Sequence, residues 1–129
     1  MSVDLNILLA NALLDRYDSE FPQGSLVQIR TGAPPGAENA ASGSLLVEIT
    51  SPASPWNPAG SGSKTKNGTW SAAATGGGVA GHYRMKNAAD TRREEGTVTL
   101  TAGGGDMTLD NTNIAVDQVV TINTFTKSL

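Results

Sequence analysis

A chain of 129 residues with 38% apolar, 16% charged and 5% aromatic side chains holds one domain's worth of core and too little for two, so a single domain over residues 1–129 is expected. Nine basic against twelve acidic residues give a net charge of −3, which leaves no cationic footprint for phosphates and makes nucleic acid an unexpected partner. The absence of cysteine excludes disulfides, thiolate metal sites and a Cys nucleophile. No apolar run reaches the roughly 20 residues of a membrane span, and the first residues lack a basic, small-residue leader, so a protein made in the cytoplasm with no membrane partner is expected.

The first element is an amphipathic helix of about fourteen residues within a helical segment over 1–20, near the length at which isolated helices are marginal. Ser2 suits the N-cap and Asp4 the first turn. Leu5, Leu8, Leu9, Ala12 and Leu13 recur at helical spacing on one face, while Asp4, Asn11 and Asp15 lie away from it. Ile7 and Leu14 fall off that stripe, so the apolar face is wide enough for two neighbours. Phe21-Pro22-Gln23-Gly24 ends the segment.

The hydrophobic period then changes to two. Leu26–Thr31 and Leu45–Thr50 read as strands, joined by a Pro- and Gly-bearing surface loop over Gly32–Ser44. Ser51–Gly68, with Pro52, Pro55 and Pro58 around Trp56, reads as one long loop over 51–68, a length more usual for binding loops than for connectors. Further strands are expected in Thr69–Thr75, in Val79–Lys86 with Tyr83 and Met85 opposite His82 and Arg84, in Arg92–Thr101, at Met107–Leu109, and in Val119–Thr126 with Val120, Ile122 and Thr124 inward. One helix followed by many short strands predicts a mainly β domain, an antiparallel β-sandwich or jelly roll over 25–129.

Motifs that carry chemistry are sparse. His82, the sole histidine, has no nucleophile or carboxylate placed beside it by a local motif, so it reads as a solvent-side or interface residue. Gly76-Gly77-Gly78-Val79-Ala80-Gly81 matches a dinucleotide string, but a strand follows where a helix is needed, which makes it a turn. Gly60-Ser61-Gly62-Ser63-Lys64-Thr65 departs from a phosphate loop at Ser63 and reads as polar loop. Asp106, Asp110 and Asp117 lack calcium-loop spacing and suit turns. Arg92-Arg93-Glu94-Glu95 reads as a solvated strand edge. Trp56, bracketed by prolines, either presents its indole to a partner or folds back to close the core. No catalytic residue, cofactor site or metal site is expected.

Asn11-Ala12-Leu13-Leu14-Asp15, Ile29-Arg30-Thr31-Gly32-Ala33-Pro34 and Ser42-Gly43-Ser44-Leu45-Leu46-Val47-Glu48-Ile49 resemble a family of short structural proteins of tailed bacteriophages. His82-Tyr83-Arg84-Met85, Glu95-Gly96-Thr97-Val98, Asp106-Met107-Thr108-Leu109-Asp110-Asn111 and Val119–Thr126 extend the resemblance over nearly the whole chain. It implies a non-enzymatic virion protein on the capsid surface, a decoration or cement protein that binds the major capsid protein as a homo-oligomer, with a trimer favoured. Leu5, Leu8, Leu9, Leu13 and Trp56 are the expected contacts. The alternative is a tail- or fibre-associated module that binds host glycan, with Trp56 and Trp70 as stacking platforms.

Overall fold

The computed structural model describes residues 3–129. Its helices are α1 (Ile7–Leu14) and α2 (Tyr17–Glu20), and its strands β1 (Leu26–Thr31), β2 (Leu45–Thr50), β3 (Ser63–Thr65), β4 (Ser71–Ala73), β5 (Gly78–Lys86), β6 (Arg93–Leu100), β7 (Met107–Leu109), β8 (Asn113–Ile114) and β9 (Val119–Ser128). The chain is thus mainly β with a short helical segment before the strands. α1 has eight residues where about fourteen were expected, and the segment is broken at Asp15-Arg16. The expected cap at Ser2 lies outside the described residues, and Asn6 caps α1 instead, its side chain accepting the Leu9 N–H at 3.0 Å.

The strands do not divide into two separate sheets. They form one hydrogen-bonded path in the order β2-β1-β5-β6-β7-β9-β3, with β4 also on β9 and β8 on β5. The path curls until β2 meets the β4 branch of β9: the N–H groups of Thr75 and Gly76, just past β4, both donate to Leu46 O on β2, at 2.8 and 3.1 Å. Gly76 is required there, since a Cβ would stand 2.4 Å from Leu45 O.

Pairing is antiparallel except between β6 and β7, which run parallel from Val98↔Met107 to Leu100↔Leu109. Parallel neighbours ordinarily need a long crossover, yet only Thr101–Asp106 intervene here. The glycines explain it. At both Gly103 and Gly105 a Cβ would approach the Thr99 hydroxyl within 3 Å, so only bare backbone folds back this closely over β6.

Inside the curl lie Val27, Ile29, Leu46, Ile49, Met85, Met107, Leu109 and Ile122, together with the large rings of Trp70, Tyr83 and Phe125. The opposite face of β5 is covered as well. Segment 32–44 folds over it, held by Arg84, which donates to Gly36 O and Asn39 O (3.2 and 2.7 Å) and pairs with Glu95 at 2.7 Å, while Gly36 N–H donates to Glu95. The expected surface loop is also a lid over a buried ion pair.

Candidate functional site

The helical segment docks through a narrow face of Ala10 and Leu14 with polar side chains at its margin. Ala10 and Leu14 are buried, and the neighbouring positions are held by polar bonds: Asn11 Oδ1 accepts Gly62 N–H at 3.0 Å, and Asp15 Oδ1 accepts Ala59 N–H at 2.9 Å. Lys64, only 1% exposed, reaches up from β3 to Asp15 (2.7 Å), Asp18 (3.1 Å) and Asn57 O (2.9 Å). That lysine bond holds the Asp15 carboxyl below its ordinary range, and the Ala59 N–H adds to the effect.

This docking leaves the leucine stripe facing outward. Leu8 is 79% exposed, Ile7, Leu9 and Leu13 are about half exposed or more, and Val3 is exposed beside them; Leu5 is half-buried. A helix on a soluble domain normally turns such a stripe to the core. Here the core is already filled by aromatic rings, and two acidic side chains on the segment meet the buried Lys64 ammonium.

Below the segment, β9 places Lys127 opposite Lys64 in the strand register. Lys127 Nζ lies among aromatic rings, 3.5 Å from the centroid of Phe125 and 5.0 Å from that of Tyr83, with Tyr17 and Trp56 at about 6 Å. It contacts Glu94 Oε2 and donates to the Tyr83 hydroxyl at 3.0 Å. Glu94 accepts from both phenols, Tyr17 on Oε1 at 2.5 Å and Tyr83 on Oε2 at 2.6 Å. Burial pushes the Lys127 ammonium down to about 8 even though the Glu94 charge pulls the other way. Burial and then the Glu94 charge hold both tyrosines well above the usual phenol range, so they remain hydrogen-bond donors. The cluster opens on a cleft of about 270 Å³ that Leu13, Asp106 and Thr126 also line.

The sequence candidates do not converge. Leu8, Leu9 and Leu13 share one exposed face with Leu5 at its margin, but Trp56 is elsewhere, 6% exposed in the core, with its indole N–H on Phe21 O at 2.9 Å and its ring against Trp70 and Phe125. The ring has folded back, so Trp56 as a presented contact is corrected. Trp70 is wholly buried too, which removes both stacking platforms. His82 is neither solvent-side nor exposed: its Nδ1 bonds Gly32 O at 2.9 Å beneath the lid.

The charged quartet is corrected in part: Arg92 and Arg93 are exposed and this stretch of β6 pairs with β5 alone, as at an edge, but Glu94 and Glu95 point to opposite faces, each into a buried network. Sequence reasoning missed Lys127 altogether and left Lys64 in a polar loop. Adjacent Glu94-Glu95 inside a strand was the available signal, because alternation sends one of any two neighbours to the core. Comparison with protein-family models, curated proteins and solved structures finds no match.

Proposed function

We infer that the chain is a non-enzymatic structural protein of a bacteriophage virion, a capsid decoration or cement protein that binds the assembled head through α1. The outward leucine stripe is the observation that carries this reading. Leu8, Leu9 and Leu13 stand in water on one face of a segment anchored from its other side by Lys64, so the apolar surface is rigidly presented. Many identical shell sites would multiply a modest apolar contact into stable decoration, and closed symmetry favours a trimer of this chain on the major capsid protein. The resemblance of the sequence to phage structural proteins supports the same reading. The glycan-binding alternative loses its basis, since both tryptophans serve the core.

Among the described residues no helix is long and apolar enough to cross a membrane. The direct test mixes purified protein with heads assembled from the phage major capsid protein and images them by cryo-electron microscopy. Added density on the shell is expected with the native chain and none with Leu8→Asp/Leu9→Asp, whose fold, measured by thermal melting, stays within about 0.5 kcal/mol because both side chains are exposed. Undecorated heads with the native chain would sink the proposal.

A further inference from the structure

We propose that Lys127 and Glu94 condense to an intramolecular amide that fastens β9 to β6 just beyond the start of β7. The geometry brings the reacting groups together. The amine and the carboxylate are in contact, on strands fixed to either side of β7, and contact of this kind replaces a bimolecular encounter by a high effective concentration. Tyr17 donates to Glu94 Oε1, and Tyr83 bridges Lys127 Nζ and Glu94 Oε2.

The step balances without any co-reactant. The Lys127 ammonium first gives one proton to Oε2, leaving a neutral amine and a carboxylic acid. The Nζ lone pair then attacks Cδ, forming the C–N bond as the carbonyl π pair moves onto Oε1, where the Tyr17 hydroxyl stabilises it. One proton from the nitrogen passes through the Tyr83 hydroxyl to Oε2. The Oε1 pair returns to the carbonyl, the Cδ–Oε2 bond breaks, and Oε2 leaves as water through the cleft. Burial among Phe125, Tyr83 and Trp56 favours the neutral amine that attacks. Because Tyr17 belongs to α2, the reaction waits until the helical segment has docked on the sheet. The product is a single-turnover modification of the chain itself, and it stands whether or not the chain decorates a virion.

The test is the intact mass of the purified, folded full-length chain. The expected value falls short of the sequence mass by one water, and tryptic digestion yields a branched peptide joining the Glu94 and Lys127 segments. Lys127→Arg recovers the full sequence mass, and Glu94→Gln loses ammonia in place of water. A native chain of full mass overturns the proposal, and so does a shortfall that persists in Lys127→Arg.

Discussion

Trp56 sits where three aromatic contacts and one hydrogen bond meet: Tyr17, Trp70 and Phe125 surround its ring at 5.2 to 5.6 Å between centroids, and its N–H satisfies Phe21 O. Removing it empties a large buried volume and orphans a carbonyl at the helix exit. Trp56→Ala is expected to cost about 3–5 kcal/mol, read from the shift of the urea unfolding midpoint. An effect below about 1 kcal/mol would mean that the ring is presented outward after all. At Asp15 the issue is pH. Its carboxyl, held below 3.8 by Lys64, binds a proton less readily in the folded chain than in the unfolded one. The stability it contributes is therefore present above the ordinary carboxylate range and drains away as pH falls through the lowered value. Melting temperatures between about pH 5 and pH 2 are expected to fall more steeply for the native chain than for Asp15→Asn, which has no carboxyl to protonate there.

Elements were legible to the extent that alternation or turn chemistry marked them. β1 and β2 begin and end where Leu26–Thr31 and Leu45–Thr50 place them, since each is a β-branched run closed by Pro or Gly. β3 was hidden because Ser-Lys-Thr has no apolar residue; its inward position is filled by a lysine whose charge is matched only in three dimensions. On β9 the pairing with β7 shifts register at Thr108/Leu109, which turns Thr124 outward and brings Phe125 and Lys127 inward, and no local sequence rule announces that shift. Helical periodicity marked the stripe of Leu8, Leu9 and Leu13 that stands exposed, but periodicity finds a face and says nothing of what faces it. A glycine tests the lid over β5. At Gly81 a Cβ would stand 2.3 Å from Gly32 O, backbone that cannot swing aside. Gly81→Ala is expected to destabilise by about 1–3 kcal/mol in thermal melts, with segment 32–44 gaining hydrogen exchange ahead of the rest.

For the molecule as a whole, the decisive feature is that the last strand is not at an edge. β9 pairs with β7, with β3 and with β4, and its side chains Ile122, Phe125 and Lys127 enter the core that α2 closes from above. The stretch from Thr124 to Ser128 thus carries the partners of Met107, Thr108 and all of β3, and through Lys127 the floor on which Glu94 and Tyr17 rest. Chain ends are commonly dispensable, but that rule rests on sparse contacts, and here the contacts are dense. A chain ended after Asn123 loses a ladder from both flanks, exposes Trp70 and Trp56 by removing Phe125, and leaves Lys64 opposite nothing. Because the curl closes only when β2 meets the segment after β4, which β9 positions, the loss cannot stay local. The truncated chain is expected to show no cooperative melt and collapsed amide dispersion by NMR, whereas the native chain unfolds in one transition. A truncated chain that kept a cooperative transition would show that the core closes without Thr124–Ser128, and that this end of β9 is an appendage to it.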